Sequence, residues 1–545
     1  MIKSLLLCFF LFFCVCISQA QSQDTFLFQK NYTPGTLDGS GQFMGGTETS
    51  WLIAHKGQVF AGIGYWKDNP VNDPQPGPQI LRKSCSVCPW QVDISFGHPK
   101  YLGLEAMASI VFTRDSTGAI LPTPDTLLLA SAQYADTSQP DSASISVWVR
   151  NDVTAQWSKT VLTTQFPTGL PNLTVRQFAI HFDKSNGAQY VFALTSMGHI
   201  FRGCYDASLA GKIRWANQPE IDFPAGDRWI SWCVANDTLY AGIGLGDQTT
   251  FKRTALFRRN DNGTLSTWTE VKNWLPAFQN ASLGLRGLTA ITHPSIPNKQ
   301  LLLASREHPG VIERIDPLNN YNVQLDFDQR AFFTQLWGSL GGGATIAAYN
   351  DMLPFIHPIN NEQQWLISLW VNHPNDAQAP YNGSWFLIRG ASGNYSYGNN
   401  YDPTNPLPSG EKLKACRTII RSPFTSDGDT VFYFGGYDAG GAGLKHNTAW
   451  IYKGILATNM TTGILENFNT NEFSIYPNPS NTALFIKTEN NIFNQYKIIN
   501  FVGQLIIETN LNGNSIDVST LQTGIYFLQL KNENGRLFTT KFIKE

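Results

Sequence analysis

The sequence predicts an all-β chain, a seven-bladed β-propeller followed by a small C-terminal β-sandwich, and three observations lead there. First, a strand-turn-strand unit recurs: Trp51 to Gly64 reads WLIAHKGQVFAGIG, and Trp232 to Gly244 reads WCVANDTLYAGIG. Each copy is an apolar run, a polar turn (His55-Lys56-Gly57, then Asn236-Asp237-Thr238) and a second apolar run closing on Ala-Gly-Ile-Gly, the pattern of a hairpin inside a repeated sheet. Second, 46 Gly, 29 Pro and 35 Phe stand against only 15% charged residues, the turn-rich and aromatic-rich mixture of many short strands. Third, turn signals divide the body into segments of a size that suits four-stranded blades.

Residues 1–20 read as a secretory signal: Lys3 gives a positive start, Leu5 to Ile17 an apolar run, and Ser18-Gln19-Ala20 a small-residue cleavage site. No other apolar run reaches 18 residues, so no membrane-spanning helix is expected in the mature chain. The net charge of -2 provides no basic field for phosphates, and nucleic acid is not an expected partner. Loss of the leader removes Cys8, Cys14 and Cys16 and leaves five cysteines. In an oxidising compartment Cys85 is expected to bridge Cys88 and Cys204 to bridge Cys233, with Cys416 left over as a thiol.

The body is expected over 21–456. Thr25-Phe26-Leu27-Phe28-Gln29 is a short strand isolated from the first repeat by a turn-rich stretch, and is expected to complete the last blade, since rings close by pairing the two ends of the chain. The seven segments are read at about 48–100, 105–162, 172–220, 228–275, 283–330, 343–400 and 412–456. Each holds two or three apolar runs of strand length, several divided by Asn, Asp or Gly at the reversals. No such sheet can bury both faces alone, so stability has to come from stacking sheet on sheet, and function falls on the loops.

From Ile451 onward the chain has no Trp, Cys or His, and Asn becomes abundant. A linker is read at 457–471 and a new domain at 472–545. Its markers are FSIYPNPSNTALFIKT from Phe473, YKIINFVGQLI from Tyr496, and LQTGIYFLQLKNENGRLFTTKFIKE from Leu521. With Tyr476-Pro477-Asn478-Pro479, Gly503 and Gly524 in this order, the tail resembles the C-terminal sorting domain of the type IX secretion system of Bacteroidetes. That resemblance implies a small β-sandwich, handling by the type IX machinery, and a secreted or cell-surface destination. The body resembles a seven-bladed propeller of no identified functional family.

Chemistry is less legible. Cys85-Ser86-Val87-Cys88 has the spacing of half a zinc site, but no second ligand pair follows, so no metal is expected and no cofactor is read. Arg306 and His308, with Tyr437 and His446, are the candidate catalytic residues of a polysaccharide-lyase site, in which a base, a proton donor and a cation offsetting a carboxylate would converge. Asp438 and Asn447 are candidate binding residues beside the Gly-rich stretch 440–443. The favoured reading is recognition of an extracellular ligand such as a glycan; the alternatives are a lyase or hydrolase on the same scaffold, or a structural or adhesive surface protein.

Overall fold

The computed structural model describes residues 25–65, 77–97, 100–135, 143–165, 173–223, 228–244, 254–274, 284–307, 310–341, 345–358, 360–374, 383–400, 413–437, 447–457, 473–488, 493–500, 505–532 and 537–545. The expected signal segment lies outside them, as does the expected linker apart from Ala457. Two compact units are distinguished, Phe26–Leu456 and a second that contains Ala457–Glu545.

The body is almost entirely strand and propeller-like. Among the described residues seven antiparallel sheets follow one another, with first strands Glu48–His55, Tyr101–Arg114, Val175–Phe182, Arg228–Ala235, Gly284–Thr292, Ile346–Ile356 and Ala415–Arg421, and single pairings, Tyr437 with Glu48 and Gly244 with Gly284, join the seventh to the first and the fourth to the fifth. Each first strand touches the first strand of the next sheet, and the seventh touches the first, so the strands close a ring. The N-terminal strand Thr25–Lys30 pairs with Trp450–Ala457 as the outermost strand of the seventh sheet. That pairing joins the two ends of the body and covers an edge that would otherwise be open. Among the described residues one α-helix occurs, Gln329–Trp337 between the fifth and sixth sheets. Asp328 caps it by accepting from the Ala331 N–H at 2.8 Å, and Gly338, at φ 79°, ends it.

Apolar cores lie between neighbouring sheets, and one of them runs continuously through sheets one, two and three. Phe192, Trp229 and Phe257 pack between sheets three and four; Leu256, Leu285 and Leu302 between four and five; Phe355, Phe386, Phe432 and Phe434, with Phe26 and Phe28, between six and seven. The sheets are therefore stable only in company.

Two polar systems lock the stack. A belt of small side chains bonds each sheet to the next sheet's innermost backbone: Ser50 Oγ donates to the Leu104 carbonyl, and Ser131 Oγ accepts from the Val175 N–H at 3.1 Å. Gln177 donates to Ile230 O at 3.3 Å, Ser231 to Leu285 O, Ser305 to Ala347 O at 2.9 Å and Ser368 to Arg417 O at 3.2 Å, while Leu52 N–H donates to Thr418 Oγ1 at 3.1 Å. All seven junctions are thus bridged. Ser50 and Ser231 each precede the tryptophan of a founding hairpin, Trp51 and Trp232, but at different register positions: Ser50 falls in the break between Thr49 and Trp51, and Ser231 stands opposite Gly242.

The second system recurs three times. An acid of an odd sheet sits between an arginine of its own third strand and one from the third strand of the following sheet. The sets are Arg82, Asp93 and Arg150; Arg202, Glu220 and Arg259; and Arg314, Asp326 and Arg389. An aromatic donor completes each set: Trp157 Nε1 to Asp93 at 2.8 Å, Trp268 Nε1 to Glu220 at 3.2 Å, Tyr395 hydroxyl to Asp326 at 2.6 Å. These charges are paired and hydrogen-bonded, the condition under which buried charge is tolerated.

Cys85 and Cys88 form a disulfide. The expected bridge between Cys204 and Cys233 is corrected: both are thiols. Cys204 packs against the core shared by sheets three and four and donates to the Arg214 carbonyl, whereas Cys233 lies in the core shared by sheets four and five, so different interfaces hold the two sulfurs. Cys416 is a buried thiol whose pKa burial raises.

The C-terminal unit packs a three-stranded sheet (Phe473–Tyr476, Ala483–Thr488, Ser515–Asp517) and a four-stranded one (Leu505–Asn510, Phe493–Asn500, Gly524–Asn532, Leu537–Lys544) around Leu484, Ile498, Ile516, Leu528, Leu530 and Phe542. The Asn478 side chain reaches across to the last strand: its Nδ2 donates to Lys541 O at 3.0 Å, and its Oδ1 accepts from the Ile543 N–H at 2.9 Å. Ser480 continues that contact, its N–H donating to Ile543 O at 2.9 Å. The Pro-Asn-Pro-Ser opening thereby ties the start of the unit to its final strand.

Candidate functional site at the ring axis

All seven innermost strands break register with their partners near their starts. The breaks fall at Thr49/Trp51, Leu104/Ala106, Val175/Gln177, Trp229/Ser231, Leu285/Gly287, Ala347/Met352 and Cys416/Thr418. A bulge leaves one residue unpaired and re-aims its side chain. In four sheets that residue is charged: Glu105, Arg176, Arg286 and Arg417. Glu48 and Arg228 stand at the starts of the first and fourth sheets, opposite Gly64 and Gly244, the final glycines of the two Ala-Gly-Ile-Gly copies. One register position of the repeat thus carries an acid in one copy and a base in the other. Sheet six supplies Tyr349.

These residues form one electrostatic cluster. Arg176 pairs with Glu105, Arg417 with Glu48, and Arg286 with Glu307 of the fifth sheet's second strand; Arg417 also lies 3.9 Å from Glu105. The guanidinium carbons of Arg286 and Arg417 stand 4.9 and 4.5 Å from the centre of the Tyr349 ring, within cation–π range. Gly64 has a structural reason to be glycine, because a Cβ there would meet Glu48 Oε1 at 2.8 Å.

Burial acts unequally on the two axial glutamates. It raises Glu48 to about 6, because only part of the effect is offset by Arg417 and neighbouring Glu105 adds to it. Glu105 is equally enclosed, but Arg176 and Arg417 together outweigh burial and lower its pKa. A raised carboxyl pKa means that the folded chain holds the proton more tightly than the unfolded one. Glu48 therefore contributes stability that is full below the ordinary value of 4.5 and is lost as the pH rises through about 6, on the order of 2 kcal/mol. Glu48→Gln should remove that pH dependence: the stability difference between variant and natural chain should shift in the variant's favour between pH 4.5 and 7 in urea titrations, and an unchanging difference would contradict the assignment.

Of the candidate catalytic and binding residues singled out from sequence, Arg306 and Asn447 have described side chains, and both make their contacts away from this cluster. Arg306 is held by Glu313 through two hydrogen bonds of 2.8 and 2.7 Å and lies over Trp274 at 5.6 Å, so its charge is already matched. Asn447 lies against Gly35 and Gly45 of the N-terminal turn region. His308, Asp438, His446 and Gly503 lie outside the described residues, as does the Tyr437 side chain; the Tyr437 backbone pairs with Ala415 and Glu48. His55 meets Ser109 and Asp152 at 2.8 and 3.0 Å, and His181 meets Asp261 at 2.9 Å, both as ties between neighbouring sheets.

The axial residues escaped the sequence reading, although a signal was present. Glu105, Arg176, Arg286 and Arg417 are single charges inside largely apolar runs, GLEAM, TVRQFAI, GLRGLTAI and ACRTII. A lone charge within a strand that must be buried calls for a partner.

Residues 474–545 match the secretion system C-terminal sorting domain. No protein of curated function matches the chain. Among solved structures, the chain is similar to a novel fungal alcohol oxidase of the AA5 family in complex with copper, at 10% identity and a TM-score of 0.29, over 81% of this chain and 99% of that one. It is also similar to the BP39L lectin of Burkholderia pseudomallei, at 12% identity and a TM-score of 0.41, over 74% of this chain and 99% of that one. No helix among the described residues is long and apolar enough to cross a membrane. The chain ends in a type IX secretion C-terminal sorting domain, and it is exported by that route to the cell surface or the extracellular space.

Proposed function

We propose that the body, residues 21–456, is the exported cargo and that it binds an extracellular ligand, a glycan, at the end of the ring where the innermost strands begin. Residues 1–20 serve as the entry signal and 472–545 as the sorting domain, joined to the body through 457–471. The observation that carries the binding reading is the axial cluster: residues from all seven sheets place charged and polar groups at the centre of the ring. A purely structural or adhesive protein has no need of such a concentration, since its axis could be closed by apolar side chains at lower cost.

Binding is favoured over turnover because Arg306 is matched by Glu313 and because Glu48, 1% exposed, offers no face to a polymer. The purified chain, applied to an array of neutral and acidic polysaccharides, should be retained on a subset of them without releasing fragments. Release of unsaturated or reducing products would favour the lyase or hydrolase reading instead, and absence of retention on every polysaccharide would end the glycan reading.

A further inference from the structure

Among the described residues, Arg228 is the one axial cation left over. Arg176, Arg286 and Arg417 each pair with a glutamate, whereas among the described residues no carboxylate lies within ion-pair distance of Arg228. Its surroundings make this costly. Burial weighs most against its charge, Arg176 and Arg286 add to that as like charges, and Glu307 and Tyr349 act in its favour without an ion pair, while the side chain keeps some exposure at the first position of its strand. Among the described side chains, four arginines stand against three glutamates, an excess of positive charge, and a partly buried cation without a partner is normally removed or neutralised.

We propose that the Arg228 guanidinium, flanked by Arg176 and Arg286, is the seat of a small anionic group, the carboxylate or sulfate of an acidic glycan. The inference rests on the binding reading above and narrows it to ligands bearing such a group. Chemistry supports the match. A guanidinium offers paired N–H donors in a plane that suits a carboxylate or a sulfate, and the two flanking cations strengthen the attraction in surroundings poorer in water than the bulk. Arg228 keeps some exposure whereas Glu48 is closed off, so of the two copies of this position Arg228 is the one a group from outside could reach. Register adds a further point. Its counterpart in the first repeat, Glu48, already has an arginine partner in Arg417, so only the basic copy of this position is left to take a partner from outside.

The test compares the purified full chain with Arg228→Met and Arg228→Lys, using oligogalacturonate, a sulfated oligosaccharide and a neutral oligosaccharide of similar length at fixed ionic strength. The natural chain should bind one or both acidic probes, and the arm that binds identifies the group as carboxylate or sulfate. Arg228→Met should weaken that binding by about tenfold to a hundredfold, the effect of losing a charge-assisted pair. Arg228→Lys should retain part of it. Arg228→Met should also melt no lower than the natural chain, because it removes an unmatched charge; a residue serving only the fold would show the opposite. Unchanged acidic-probe affinity in Arg228→Met overturns the proposal. Binding of the neutral probe alone overturns it too but leaves the ligand-binding reading standing, and binding of no probe overturns both.

Discussion

Phe26→Ala is expected to destabilise the body by about 3–5 kcal/mol, although the residue belongs to a six-residue strand far in sequence from everything it touches. Its ring meets Phe386, Phe432 and Phe434 edge-on at 5.3, 5.6 and 5.3 Å. Phe28 meets Phe434 at 5.0 Å, so the strand is held to the seventh sheet by aromatic packing as well as by its backbone. Loss of Phe26 opens a cavity in the core between sheets six and seven and weakens the strand that joins the two ends of the body. Leu27, 46% exposed on the opposite face, is the control, and its alanine variant should lie within about 0.5 kcal/mol of the natural chain. Tryptophan fluorescence during denaturant unfolding reports the body alone, since no Trp follows Trp450. Equal costs at 26 and 27 would mean that the strand does not seal the ring.

Arg259→Met should be nearly as severe, about 3–5 kcal/mol at pH 7. The Arg259 side chain is fully enclosed and serves three acids at once: Asp183 at 2.9 Å, Glu220 through Nε and Nη2 at 2.9 Å each, and Asp261 at 2.7 Å. Methionine fills much of the volume but leaves those carboxylates facing one another without a cation. Burial by itself would raise Asp183, but hydrogen bonds from Ser185 and Arg259 bring it down to about 2. Its share of the stability is therefore present above the ordinary carboxylate value of 3.8 and disappears as the pH falls from there through about 2. The variant should lose part of that acid-side dependence. A cost below about 1 kcal/mol would show that the three-part lock between sheets three and four is ornamental.

Much of the architecture was open to reading in the letters, for a physical reason. A propeller-like ring repeats one hairpin, so Trp51 to Gly64 and Trp232 to Gly244 advertise the unit, and turn residues mark the seven sheets at nearly the right places. The isolated run at Thr25 could find a partner only at the other end of the body, and it does so at Trp450–Ala457. What stayed hidden depends on which way a bulge turns a side chain. Nothing local separates Arg286, which points to the axis, from Arg306, which stacks on Trp274 and pairs with Glu313. The error over Cys204 and Cys233 has the same source. Adjacency of sheets was inferred correctly, but the face of the sheet on which each sulfur lies was not encoded in the spacing.

The most direct measurement is a crystal of the full chain soaked in galacturonate or, for its anomalous signal, in bromide. The account predicts density for the anion within hydrogen-bond reach of Arg228, between Arg176 and Arg286 at the entrance to the ring. Anion density elsewhere on the body, with that position left to water, would contradict it.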